Sequence, residues 1–427
     1  MAVSSQTAPL TDDRQPQLGF DPKKLKAQLR VAERRKTIRA LTLVAPLFLF
    51  VLVFFLFPIG SLLERSVNSP EFVTIFPQSA AILEQSDNLE NLDEQAFYAA
   101  LFTELRTSAK ERTFGPVGRR LNQDVPGFIS LFKKTARKIK KEKEIPTDPK
   151  AWFVEKHENW ANPTYLHAMK RASSAWTDFY MLTALDLQRN DAGNIQAVDE
   201  QKALFVDILI RTMEISFGVT IICVILGYPV AWVLAHASDN VRNVLLIGVL
   251  FPFWTSLLVR TAAWIIVLQK EGPINSFLQT LHIIDEPLQL VFNRFGVYVA
   301  LTHILLPFLV LPLYSVMKAI PNDYMRAAKS LGAKPWVAFL RVYFPQSLPG
   351  LSAGAILVFI LSIGYYITPA LVGGPKDQMI SYFIAFYTNN TINWGLASAL
   401  AFILLVVTLV FYALYQRVTG GKAGMGV

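Results

Sequence analysis

Residues 42–63 form a run of 22 residues without a single charge. Lipid offers no partner for exposed backbone amides, so such a run crosses a hydrocarbon core of about 30 Å only as a helix. It is too long for the apolar part of a cleaved signal peptide, and Ser61-Leu62-Leu63-Glu64-Arg65 offers no small-residue cleavage site. It is therefore expected to stay as an anchor. Five further segments follow after a long gap. Residues 215–238 and 295–317 carry no charge, and 243–268 is interrupted only by Arg260. Residues 342–375 lack charges but contain Pro345, Pro349 and Pro369, which sets the expected helix start near Pro349. The uncharged stretch 378–416 is too long for one helix. Its span is placed at 395–415, with 379–387 as a short interfacial or re-entrant piece.

The expectation is an all-α integral membrane protein with six transmembrane helices and both termini on one side. Composition agrees, with 52% hydrophobic and only 17% charged residues, where a soluble domain carries about a quarter. Charge then orients the spans. With the amino terminus cytoplasmic, seventeen Lys and Arg fall in cytoplasmic segments: nine before the first span, Arg242, five in 318–341 and two in the tail. The short external loops hold three: Lys270, Arg294 and Lys376.

The net charge of +9 does not mark a nucleic-acid surface, because the excess flanks the apolar runs. Residues 64–211 are nearly neutral, with 20 basic and 21 acidic side chains. The single cysteine, Cys223, lies in an apolar run and excludes a disulfide framework. The five histidines are scattered, with only His303 inside a span, which argues against a metal site.

Five parts are expected. Residues 1–40 are a basic cytoplasmic segment, polar and disordered over 1–20 and helical over 22–39. Residues 41–63 are the first span. Residues 64–202 are a helical extracytoplasmic insertion, with apolar residues at helical spacing in 89–112 and 165–189 and a solvated helix face at 133–144. Residues 203–417 hold the other five spans, and 418–427 are a cytoplasmic tail.

Between the fourth and fifth spans, residues 318–345 read as a basic helix-turn-helix. Asp323 suits the cap of a helix through Leu331, Gly332 a left-handed C-terminus, and Pro335 the first turn of a second helix. Ala327 and Ala328 leave room for close approach, while Trp336 and Phe339 offer apolar anchors for docking into a groove. This loop resembles the coupling loop of permease subunits of bacterial ATP-binding cassette importers. The pattern there is Glu-Ala-Ala, three residues, Gly, nine residues, then Ile-x-Leu-Pro. Here Arg326-Ala327-Ala328, Gly332 and Val342-Tyr343-Phe344-Pro345 keep the spacing, with Arg326 in place of the acid. Over residues 203–417 the likeness narrows to the spermidine/putrescine permease branch, on Leu226-Gly-Tyr-Pro-Val-Ala-Trp232, Pro252-Phe-Trp-Thr-Ser-Leu-Leu-Val-Arg260, Leu305-Leu-Pro-Phe-Leu-Val-Leu-Pro-Leu-Tyr314 and Gly373-Gly-Pro375. The long insertion departs from it.

The resemblance implies the type I importer permease fold. It implies a partner permease, identical or homologous, a separate ATPase dimer binding ATP and Mg, and a periplasmic substrate-binding protein. The chain itself would hold no cofactor and no catalytic residue. It also implies a small polar organic solute such as a polyamine, and an inner-membrane location. Coupling would fall to Arg326, Ala327, Ala328, Gly332, Trp336 and Pro345. The chain has no G-x-x-x-x-G-K-[ST] loop of its own.

Along the path, Trp254, Tyr365, Tyr366 and Trp394 suit an aromatic lining or ordinary packing. Arg260 suits an anionic substrate group or gate, or a snorkelling or paired arginine near a helix end. Glu214 suits a cation contact or a helix start. The branch's acidic residue before Gly-Gly in the fifth helix has no counterpart in 365–374, which leaves opines or other amino-acid derivatives open as solutes. A membrane enzyme would need more acids, histidines or nucleophiles at one depth. A channel or secondary transporter would need buried coupling carboxylates or inverted repeats.

Overall fold

The computed structural model describes residues 22–86, 89–142, 144–190 and 193–420. The disordered segment expected over 1–20 and most of the tail lie outside them. The chain divides into two compact units, Met1–Ser61 and Leu62–Val427.

The first unit is one long helix, Pro22–Val51, continued through a wider π-helical turn at Leu52–Leu56 into Phe57–Glu64. Pro58 has no amide to bond the carbonyl of Phe54, and the wide turn lies just before it. The stretch Lys36–Glu64 is long and apolar enough to span a membrane.

In the second unit, the helices from Glu71 to Arg171 pack around a dense aromatic core. Phe72, Phe76, Phe97, Phe102, Phe128, Phe132 and Phe153 are fully buried. Helix Phe128–Ile139 shows why it folds so. Leu131, Phe132, Thr135, Ala136 and Ile139 face inward, while Lys133, Lys134, Arg137 and Lys138 are exposed. Glu104 accepts hydrogen bonds from the Gln78 and Ser79 amides and from the Ser79 hydroxyl, which caps helix Pro77–Gln85. Tyr98 donates to the Trp160 carbonyl at 3.0 Å, and burial, aided by nearby Glu94, pushes its pKa up to about 12. The expectation of helix through 165–189 holds only in part. The helices end at Arg171 and Ala184, and Leu187–Arg189 pairs antiparallel with Ile195–Ala197 in a two-stranded hairpin. Asp186, at φ 55°, turns the chain out of the helix.

That turn also joins the domain to the second span. The Asp186 carboxylate accepts from the amides of Leu204, Phe205 and Val206 at 2.8–3.0 Å. These are orphan donors at the start of helix Phe205–His236, where a negative charge is favoured. Nearby, buried Arg120 donates to Ser69 and lies 4.1 Å from the Phe179 ring centre. The Tyr180 ring packs directly on Gly395 at the start of the sixth span, where no Cβ would fit.

The spans of the second unit are Phe205–His236, the bent pair Asp239–Trp254 and Leu257–Thr280, Arg294–Ala319, Pro335–Gly364 and Trp394–Arg417. Counting the bent pair as one span gives six membrane crossings with the first unit. The second, fourth and fifth form the core, through Ile215, Val219 and Cys223 against Leu301, Leu305, Leu309 and Leu313. Gly350 and Gly354, one turn apart, bring the fifth span onto Val316 and the Leu309 backbone. A Cβ on Gly354 would lie 2.9 Å from the Leu309 carbonyl oxygen. Small residues at this spacing let membrane helices pack backbone to backbone.

Three expectations are corrected. The third span is not continuous, because it turns by 102° after Trp254. Pro252 removes one amide, Thr255 and Ser256 are extended, and the Thr255 hydroxyl donates to the Pro252 carbonyl. The fifth helix does not begin near Pro349. It is helical from Pro335, because a wide turn at Phe339–Tyr343, with the Phe344 amide bonded to the Phe339 carbonyl, accommodates Pro345. Glu214 lies well inside its helix and forms an ion pair with Arg294 at 3.1 Å. Arg294 also meets Asp377 at 3.3 Å, tying three segments together at that end of the spans. The short piece expected at 379–387 is the helix Ile380–Asn389.

Two outcomes follow from these contacts. Asp186→Ala should cost about 1–2 kcal/mol, the range of a lost helix cap, and Asp186→Asn should retain most of it; thermal unfolding of the purified chain in detergent checks both. Gly354→Leu should destabilise the core by more than about 2 kcal/mol through overpacking, measured the same way.

Candidate functional site

The loop after the fourth span is a helix-turn-helix, Asn322–Ser330 and Pro335–Ala338. Asp323 does not cap the first helix. The cap position is Pro321, and Asp323 lies in the first turn, 3.6 Å from Arg326. The two side chains are 85% and 80% exposed, so the pair contributes little and leaves Arg326 open to another partner. Gly332 closes the first helix at φ 86°, its amide donating to the Lys329 carbonyl and that of Ala333 to Ala328. Nothing lies within 4 Å of where its Cβ would be. Pro335 takes the first turn of the second helix.

The loop presents apolar side chains outward. Leu331 is 89% and Trp336 68% exposed, and Tyr324 is exposed too. Trp336 is not isolated behind this surface. Its ring stacks on Phe339, Phe339 stacks on Tyr343, and Tyr343 meets His236 at the end of the second span. Phe339 also meets Tyr228 edge-on, and the Tyr228 hydroxyl hydrogen-bonds Ser347 at 2.9 Å. Sequence reasoning singled out Trp336 and Phe339 but missed this chain. Its signal was present as aromatics at 336, 339 and 343, a helical spacing. Arg326, Ala327, Ala328, Gly332 and Trp336 thus lie on one helical pair, and Pro345 lies in the helix that continues it.

The second feature lies where two spans lose helical geometry. The fifth span ends at Gly364, and Tyr365 and Tyr366 are non-helical before a short helix, Ile367–Val372. Beside them is a cavity of about 400 Å³, lined by Leu257, Ile360, Leu361, Gly364, Tyr365, Tyr366 and Ile367. Leu257 starts the helix after the break in the third span. Irregular backbone at membrane depth is tolerated where it is buried in protein or lines a cavity.

Arg260 lies three residues beyond Leu257, on the same helical face. It is not among the residues that line the cavity. Nε and Nη1 are buried without a hydrogen-bond partner, and each such donor costs about 1–3 kcal/mol. His303 accepts from the Trp264 indole at 3.2 Å, a pairing the sequence did not reveal. Trp254 is exposed at the break and Trp394 faces Arg65 at 5.6 Å, so neither is among the residues lining the cavity.

The family model described as binding-protein-dependent transport system inner membrane component matches residues 220–421. The spermidine/putrescine transport system permease protein PotB of Salmonella typhimurium (strain SL1344) is 34% identical over 214 residues, 50% of this chain and 75% of that protein. PotB of Escherichia coli (strain K12) is 34% identical over 50% of this chain and 78% of its own length. The inner membrane ABC transporter permease protein YdcU of the same strain is 33% identical over 49% and 71%. The family-model match begins at residue 220, after the stretch 64–202. Six membrane crossings, the loop spacing and these similarities agree: the chain belongs to the inner-membrane permease family of ABC importers, in its spermidine/putrescine permease branch.

Proposed function

We propose that this chain is the membrane subunit of an ATP-driven, binding-protein-dependent importer that carries a small polar organic solute, such as a polyamine, across the inner membrane. The observation that carries the reading is the exposed helical pair Asn322–Ser330 and Pro335–Ala338, which runs without interruption into the fifth span. A surface with Leu331 and Trp336 outward suits a groove on a soluble ATPase.

In this reading residues 318–345 and both termini face the cytoplasm, as the distribution of Lys and Arg favours. ATP and Mg bind the ATPase dimer, and its closure pushes the loop. The stacked rings from Trp336 to Tyr343 and His236 pass that movement to the second and fifth spans together. Those spans move against the bent third span and open the cavity at Tyr365 and Tyr366 to one side or the other. A second permease copy or homologue completes the path. A periplasmic binding protein delivers solute to the opposite face, where residues 64–202 stand. The chain performs no chemistry of its own.

A solute of the opine or other amino-acid-derivative class is the second reading, kept open by one observation. No carboxylate occurs between Tyr365 and Gly374, next to the cavity.

Three substitutions test the docking role in membranes holding the whole transporter. Gly332→Asp meets open space but strains a backbone at φ 86° in an exposed turn, so membrane insertion should be normal while ATP-driven uptake is lost; normal uptake would count against docking. Trp336→Ala should weaken co-purification of the ATPase at least tenfold, about 1.4 kcal/mol. Arg326→Glu should lower uptake more than Arg326→Ala, because a basic residue there calls for an acidic partner; equal effects would remove that contact.

A further inference from the structure

A second cavity, of about 650 Å³, lies in the stretch 64–202, before the residues that the family model matches. Its walls come from the ends of helices Gly115–Asp124 and Pro163–Arg171, from helix Phe179–Ala184 and from the strand Leu187–Arg189. Sites for small molecules hold about 300–1,000 Å³ and combine apolar walls with a few polar groups. Phe179 and Leu187 supply apolar wall here, and the Phe179 ring is backed by the buried Arg120 guanidinium at 4.1 Å. Trp176 also lines the cavity and is 64% exposed. An indole left so far in water is apolar surface that a ligand can cover.

Among the described residues of the lining, the charged ones are Asp124, Arg171, Asp178 and Arg189, in two pairs of different character. Arg171 donates from Nε and Nη2 to the two oxygens of Asp124, each at 3.0 Å, and these side chains are only 23% and 12% exposed. That fork is closed. Arg189 instead places Nε and Nη2 on a single oxygen of Asp178, Oδ2, at 2.9 and 2.6 Å. Among the described residues nothing hydrogen-bonds the other oxygen, Oδ1, and the two side chains are 37% and 46% exposed. An exposed pair contributes about 0–1 kcal/mol, so both members can turn to a ligand at little cost.

The four charges cancel. A ligand with a net charge would lose its water here without meeting a spare countercharge, which is unfavourable. A ligand that carries both signs can set an ammonium on Asp178 and a carboxylate on Arg189 as charge-assisted hydrogen bonds. We propose that this cavity is a binding site for a small zwitterion with an apolar body, of the size and chemistry of a short apolar peptide. Its side chains cover Trp176 and Phe179, and the Gln123 and Gln188 amides of the lining supply donors and acceptors for its peptide groups. Such a site does not depend on what the spans carry.

Isothermal titration of the full chain in lipid nanodiscs, with three forms of one dipeptide, tests this. The probes are leucyl-phenylalanine as the zwitterion, its N-acetyl form as a net anion and its C-terminal amide as a net cation. The zwitterion should bind, and the other two should bind about tenfold more weakly, a difference of about 1.4 kcal/mol. Equal or tighter binding of either charged form overturns the proposal, as does the lack of binding by all three at millimolar concentration. Arg189→Gln and Asp178→Asn each remove one charge from an exposed pair and should leave the unfolding temperature unchanged. Arg189→Gln should make the C-terminal amide the best of the three probes, and Asp178→Asn the N-acetyl form. An unchanged preference in both variants would locate the binding elsewhere and overturn the proposal.

Discussion

The close packing of the fifth span on the fourth sets the geometry of everything around it. Gly350 makes room for the Val316 side chain, and at Gly354 the fifth span lies directly on the Leu309 backbone. In lipid no hydrophobic effect drives helices together, so close main-chain contact of this kind supplies the cohesion. The second span completes the core at Val219 and Cys223, where the thiol meets the Thr302 carbonyl at 3.8 Å. Because those three helices are tightly packed, the irregular segments can lie at their edge. The bend after Trp254 and the non-helical pair Tyr365–Tyr366 lie beside this core and not within it.

Much of this was legible in the amino-acid sequence because it rests on local rules. Residues 42–63 span because they carry no charge, and the helix of 128–139 buries one side because its apolar residues recur at helical spacing. Gly332 adopts the positive φ that its position after a short helix requires. The loop motif was readable for the same reason, since its spacing lies within one helix-turn-helix.

The rest depended on partners far apart in the chain or on competing local effects. Glu214 looked like a helix-start acid, but its ion-pair partner, Arg294, is 80 residues away. The third span read as continuous because Arg260 is its one charge; the break arises from the missing amide of Pro252 and the extended Thr255 and Ser256. The fifth helix starts earlier than its prolines suggest, because a wide turn can absorb Pro345 where an α-turn cannot. The role of Asp186 was hidden too, since an acid between a helix and a strand gives no hint that it caps a helix some twenty residues on.

That clasp has a mechanical consequence. Asp186 holds the first amides of the second span, and Tyr180 rests on the first turn of the sixth. Behind them lies the dense aromatic core from Phe72 to Ala172. A body so fastened has little freedom to swivel on its own, so it behaves as a pointer fixed to two helices. Any tilt of those helices in the bilayer is amplified into a longer arc at the far edge of the domain. Spectroscopic labels or an antibody fragment placed on that edge would report such a tilt without a probe in the spans themselves.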